Sequence, residues 1–227
     1  MKKENILRSI KGKLIVSCQA LEEEPLHSSY VMSKMAVAAM QGGAAGIRSN
    51  SYEDIQSIKS IVNLPVIGLV KRIYSDSQIY ITPTIKEVDE IVSAGADIVA
   101  MDATARLRPN GVTLEEFYGE IRERYKDIII MADISNFEEG VKAEELGFDI
   151  VGTTLCGYTS YTEGTELPNY DLIGTLVKKL SIPVIAEGGI WTPEQLKKAM
   201  DMGIFSAVVG TAITRPRDIT KRFVSVI

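Results

Sequence analysis

Leu64-Pro-Val-Ile-Gly-Leu-Val-Lys71 is a short apolar run with a proline in front and a lysine at its end. A run of this length and composition reads as a β-strand buried on both faces. Ile128-Ile-Ile-Met-Ala-Asp133 and Ile182-Pro-Val-Ile-Ala-Glu187 repeat the pattern with a different ionisable residue at the exit. Strands buried on both faces belong to parallel sheets covered by helices, and such sheets place chemistry where their strands end. Lys71, Asp133 and Glu187 are therefore candidate functional residues, because packing explains them poorly: lone Lys, Asp and Glu are seldom buried.

Working outward, the same reading places strands at residues 14–17, 45–48, 66–70, 98–101, 128–132, 150–153, 184–186 and 207–209. Amphipathic stretches at helical spacing separate them, such as Val31, Met35, Ala38 and Ala39, or Ile85, Val88, Ile91 and Val92. Strand starts recur about every 28 residues, the length of a βα unit. Eight such units favour a closed barrel over an open sheet, so the expected fold is a single α/β domain spanning residues 1–227, a (β/α)8 TIM barrel with a short N-terminal helix closing its bottom. Gly43, Gly95, Gly147 and Gly203 each precede an even-numbered strand, at spacings of 52, 52 and 56 residues. A glycine there is the usual helix terminator, and the spacing suggests a repeat of two βα units.

A net charge of −5 opposes a nucleic-acid or membrane-surface role, which calls for a basic face. No window approaches a membrane span and no apolar leader precedes the first unit, so the expected location is cytoplasmic. Two cysteines, Cys18 and Cys156, form no disulfide framework or metal motif. His27 is the single histidine. Its count argues against a metal site built on several imidazoles, and neither metal nor cofactor is expected. Within Pro25-Leu-His-Ser-Ser it reads as a structural or rim residue rather than a proton carrier.

Barrels of this type bind phosphate in the loops after strands seven and eight. Glu187-Gly188-Gly189 and Gly210-Thr211-Ala212-Ile-Thr-Arg215-Pro216 occupy those positions. Glycine lets the backbone approach an anion, and Arg215 adds a charged fork. Thr192-Pro193 followed by Gln195 reads as a capped start to the next helix. Gln19, Arg48 and Asp102 end three further strands, each suited either to a ligand or to holding a loop. Asp133 could alternatively cap the following helix, although Ser135 and Asn136 are equally placed to do so. Residues 156–164 lack helical periodicity and carry hydroxyls between Gly157 and Gly164, the composition of an active-site lid.

Taken together, Val16-Ser-Cys-Gln-Ala20, Gly46-Ile-Arg48, Val70-Lys71, Met131-Ala-Asp133-Ile, Gly157-Tyr-Thr-Ser-Tyr-Thr162, Ala186-Glu187-Gly188 and Ala212-Ile-Thr-Arg215-Pro resemble the N-acylglucosamine-6-phosphate 2-epimerase family. These segments fall in order at the strand exits and cover almost the whole chain after the first dozen residues. The resemblance implies an isomerase acting at C2 of an N-acetylhexosamine 6-phosphate, with Lys71 and Glu187 as proton-transfer groups. It also implies that Gln19, Arg48 and Asp133 bind the sugar, and that Gly188, Gly189, Gly210 and Arg215 bind its phosphate. Gly189 stands where some relatives are expected to carry a basic residue, which leaves the backbone as the donor there. Asp133 is further expected to orient Lys71. The partners expected are a small sugar phosphate and a second copy of the chain in a homodimer, with no nucleic acid or membrane. A Schiff-base aldolase and a sugar-phosphate-binding regulator without turnover are the competing readings.

Overall fold

The computed structural model describes residues 3–227. Eight parallel strands pair in sequence order and β8 closes on β1, giving a closed barrel. The strands are β1 (Leu14–Cys18), β2 (Gly46–Asn50), β3 (Val66–Leu69), β4 (Ile98–Asp102), β5 (Ile129–Asp133), β6 (Ile150–Gly152), β7 (Val184–Glu187) and β8 (Ser206–Val209). The expected (β/α)8 barrel is thus the observed architecture.

Alternation along the strands sorts side chains between two cores. One set, including Ile15, Ile67, Leu69, Ile98, Ala100, Ile129, Met131, Ile150, Ile185 and Val208, fills the barrel interior. Ile6 and Ile10 of α1 (Lys3–Ile10) join that cluster, so the N-terminal helix plugs the bottom as expected. The other set, including Val16, Ile47, Val66, Val99, Ile130, Val151 and Val184, packs against the surrounding helices. Those helices are α2 (Ser29–Gln41), α3 (Tyr52–Ile61), α4 (Ile85–Ser93), α5 (Leu114–Arg124), α6 (Phe137–Leu146), α7 (Tyr170–Lys179) and α8 (Pro193–Asp201). A short helix α9 (Thr211–Thr214) and then α10 (Pro216–Val224) follow β8.

Two local predictions can be followed atom by atom. Thr192 caps α8 through a reciprocal pair with Gln195, with Pro193 in the first turn. Asn136, not Asp133, caps α6, accepting from the Glu139 N–H at 2.9 Å. Asp133 is thereby released from the bland role its position allowed.

One connection departs from a plain βα turn. After β3 the chain doubles back, Lys71 pairing with Ile81 in an antiparallel bridge and Arg72 N–H donating to Tyr80 O at 2.9 Å. The expected strand 66–70 stops at Leu69 because this excursion begins immediately behind it. Arg72 is pinned to α4 by ion pairs with Glu87 and Glu90, so the excursion is braced from the barrel's outer layer. Residues 156–164 form a series of turns, with Gly157 and Gly164 at φ +84° and +82°.

Candidate active site

The alternation that fills the interior with Ile67 and Leu69 carries the same face on to Lys71. It likewise carries Ile185 to Glu187, Met131 to Asp133, Gly46 to Arg48, and Ile150 and Gly152 to Thr154. These residues converge at the C-terminal mouth, where a cavity of about 770 Å3 opens. Lys71, Glu187, Gln19, Arg48, Gly188, Gly189, Gly210 and Arg215 all line it. Eight of the nine residues that the resemblance assigns to the site therefore share one cavity.

Asp133 is the ninth, and the structure moves it. Its side chain is 0% exposed and lies beneath the cavity rather than on its wall. Arg48, 1% exposed, grips it with two bonds: Nη2 donates to Oδ2 at 2.5 Å and Nη1 to Oδ1 at 3.1 Å. Thr154 Oγ1 donates to Oδ1 at 2.6 Å. Both oxygens are engaged and neither bonds Lys71 among the described residues, so the expected orientation of Lys71 by Asp133 is not seen; Asp133 anchors Arg48. Gly152 lies beside the pair, where a Cβ would press on the flexible end of Met131 and stand 3.5 Å from Asp133 Oδ1, an ordinary contact. Removing one partner of a buried pair strands the other charge. Asp133→Ala is expected to lower the unfolding free energy by roughly 3–5 kcal/mol, read by urea denaturation.

Glu187 receives the rest of Arg48's charge, Nη1 lying 3.2 Å from Oε2. Burial is the main influence on its carboxyl, and with the Asp133 charge it raises the pKa to about 7 against the opposing pull of Arg48, Thr154 and Lys71. Lys71 moves the other way. Burial, assisted by the positive charges of Arg48 and Arg215, lowers its ammonium to about 8. Its backbone is fixed, the N–H donating to Asn50 Oδ1 at 2.7 Å. A carboxyl raised and an amine lowered, both brought close to neutral pH, are what proton transfer requires.

The two glycine loops and Arg215 lie beside them on the same cavity. Gly189 sits at φ +70°, and a Cβ there would meet Leu167 Cβ at 2.3 Å and its backbone at 3.0 Å, so only glycine fits. That contact is the physical reason this chain has no side chain at the position. Gly189→Ala is expected to displace the loop and raise KM for a phosphorylated substrate by ~10-fold or more with a smaller effect on kcat, measured by steady-state kinetics. Arg215 is steadied by Glu24 at 2.9 Å. Gln19 donates through Nε2 to Ser17 Oγ at 2.8 Å, while its Oε1 is buried with no partner among the described residues. That leaves a buried acceptor on the cavity wall free to take a hydrogen bond from whatever enters it.

Other candidates fall outside the cavity. His27 Nδ1 lies 3.2 Å from Ala20 O and does not line the site. Asp102 is buried against Arg106 and Thr104, holding its loop. Residues not anticipated include Ser17, Tyr80, Thr154, Trp191, Arg217 and Arg222, whereas Tyr158 comes from the 156–164 segment expected to act as a lid. Two-residue alternation from Ile150 would have reached Thr154, and from Ile15 Ser17. Tyr80 depends on the excursion after β3, which no local pattern announces. Among the described residues, no group of three or more His, Cys, Asp or Glu side chains is arranged to hold a metal ion.

The family described as "Putative N-acetylmannosamine-6-phosphate epimerase" matches residues 32–227. The chain belongs to this family. A relative from Caldanaerobacter subterraneus subsp. tengcongensis, named as an N-acetylmannosamine-6-phosphate 2-epimerase of the same provisional kind, is 56% identical over 98% of this chain and 94% of its own. A similarly named relative from Clostridioides difficile is 55% identical over 98% of this chain and 99% of its own. The solved structure of the N-acetylmannosamine-6-phosphate 2-epimerase from Clostridium perfringens superposes with a TM-score of 0.93 at 54% identity, covering 97% of this chain and 96% of that one. Thiamine phosphate pyrophosphorylase from Pyrococcus furiosus, 20% identical with a TM-score of 0.65, shares the fold alone. This epimerase family membership makes the chain an enzyme, and no helix among its described residues is long and apolar enough to cross a membrane.

Proposed function

We propose that this enzyme interconverts N-acetylmannosamine 6-phosphate and N-acetylglucosamine 6-phosphate, without a metal ion, by removing the C2 proton and returning it to the opposite face. The observation that carries the reading is the placement of Lys71 and Glu187. They leave β3 and β7, strands half a barrel apart, and face each other across one cavity with pKa values of about 8 and about 7.

The chemistry follows from the substrate. The C2–H bond becomes acidic only next to the C1 aldehyde of the open-chain sugar, so ring opening precedes proton removal. Lys71 in its neutral form takes the proton, and Glu187 across the mouth supplies one to the other face. Negative charge that develops on O1 of the enolate is stabilised by the fixed guanidinium of Arg48, which Asp133 holds in place. Gln19 Oε1 accepts from a sugar hydroxyl or the acetamido N–H. The backbone around Gly188, Gly189 and Gly210, with Arg215, takes the phosphate, and the 156–164 segment, whose Tyr158 lines the cavity, serves as its lid.

The enzyme is read as a single barrel domain acting in the cytoplasm, in amino-sugar (sialic acid) catabolism. It is further read as a homodimer. Residues Phe223, Val224, Val226 and Ile227 at the C-terminal end are exposed, and α10 buries none of its own residues, an apolar surface that a second copy would cover. Light scattering on the purified protein tests that reading. Proton NMR of N-acetylmannosamine 6-phosphate with enzyme in D2O and a chelator tests the reaction. Deuterium at C2 together with the second epimer is the expected result; tight binding without exchange would favour a regulator.

A further inference from the structure

Glu187 is anchored asymmetrically. Its Oε2 lies 3.2 Å from Arg48 Nη1 and accepts from Thr154 Oγ1 at 3.2 Å. Its Oε1 has no hydrogen bond among the described residues, and the side chain keeps 14% exposure at the cavity wall. Thr154 therefore supplies the one side-chain hydrogen bond that the Glu187 carboxyl receives. The same hydroxyl lies 2.6 Å from Asp133 Oδ1. Its neighbour Thr153 holds the Glu187 backbone, Oγ1 donating to the carbonyl at 2.8 Å and accepting from the N–H at 3.0 Å. Two consecutive hydroxyls at the end of β6 thus fix one residue at the end of β7, one through its main chain and one through its carboxyl.

We propose that Thr154 is a positioning residue for proton transfer: its hydroxyl, bound to Asp133 Oδ1 and Glu187 Oε2, holds the carboxyl so that Oε1 is the oxygen presented to the sugar. This rests on the assignment of Glu187 as a proton-transfer group. One hydroxyl has one proton and two carboxylates within reach. When Glu187 is ionised, the hydroxyl proton turns to Oε2 and stabilises the anion. When Glu187 is protonated, the hydroxyl turns its hydrogen bond back to Asp133, which stays charged beside Arg48. Rotation about the C–O bond alone accompanies each change, so no heavy atom moves as the carboxyl gains and loses its proton. The charged groups facing Glu187 are Arg48 from β2, Lys71 behind β3 and Asp133 from β5; a change at Thr154 keeps all three charges, and of the three only Asp133 loses a hydrogen bond with the hydroxyl while keeping both bonds from Arg48.

Thr154→Val keeps the branched shape and removes the hydroxyl; Thr154→Ser keeps the hydroxyl and removes a methyl. For Thr154→Val, kcat is expected to fall ~10-fold with KM within about twofold, because orientation rather than binding is lost. Loss of a donor to the carboxylate also disfavours its charged form, so the Glu187 titration moves up by roughly half a unit or more. Thr154→Ser is expected to restore both. Infrared difference spectra of the sugar-free protein over pH read Glu187 directly, its carboxyl band being identified by loss in Glu187→Gln. An unshifted Glu187 titration in Thr154→Val, or a Thr154→Ser variant as impaired as Thr154→Val, would overturn the proposal. The infrared result does not depend on turnover, so it is distinguishable from failure of the wild-type protein to invert C2, which would instead remove the proposed reaction.

Discussion

Lys71→Ala is expected to abolish exchange of the C2 proton with deuterium from solvent, lowering kcat/KM by at least ~10^3, while the phosphate end of the site still binds. The two halves of that result come from separate elements. The amine arrives on β3, whereas Gly188, Gly189 and Gly210 belong to the loops after β7 and β8. Lys71→Arg should not rescue exchange, because a guanidinium is not deprotonated near neutral pH and cannot act as a base. Stability should move the opposite way from activity. Burial and the neighbouring charges of Arg48 and Arg215 hold the folded-state pKa at about 8, below the ordinary lysine value, so the protonated amine is penalised by folding. That penalty is fully present below pH 8 and disappears as pH rises from 8 towards the unfolded-state value. At pH 7 the Lys71→Ala protein is therefore expected to melt no lower than wild type. A variant that melts at the wild-type temperature and binds inorganic phosphate, yet still exchanges C2, would remove Lys71 from the reaction.

The sequence made the barrel legible through periodicity. Apolar runs such as Val66–Leu69 and glycine terminators such as Gly147 report local geometry directly, and eight of them in step leave few ways to close a sheet. Lys71 and Glu187 were legible for a related reason, since a charge at the end of an all-apolar strand has no packing rationale. Asp133 looked the same by that criterion and proved different. Its partners are Arg48 and Thr154, which arrive from other strands, and pair geometry of this kind leaves no trace in a single strand's pattern. Tyr80 was hidden because the chain returns to the mouth through an antiparallel excursion. Arg217 and Arg222 were hidden because α10 reaches the cavity only through the fold's closure.

Glu187→Gln is expected to separate removal of the C2 proton from its delivery to the other face. Lys71 remains able to take and return a proton on one face, so exchange with D2O should persist. Epimerisation should fall by ~10^2 or more, because an amide neither donates nor accepts the proton needed opposite. The pH profile gives an independent reading of the same division of labour. With Glu187 at about 7 and Lys71 at about 8, the reactive form of the site holds a single proton between the two groups. Below pH 7 both are protonated and no base is present; above pH 8 both are deprotonated and no acid is present. Wild-type kcat should therefore be bell-shaped, with its maximum between about 7 and about 8 in both directions, since each direction begins from the other tautomer of the same one-proton state. The two flanks belong to the coupled pair rather than to either residue alone. Glu187→Gln should lose the alkaline flank, since exchange needs no second acid, and leave the rate of C2 exchange rising through a single ionisation of Lys71 and then levelling off. Retention of full epimerase activity in Glu187→Gln would mean that Lys71 serves both faces, with the open-chain sugar turning between the two proton transfers.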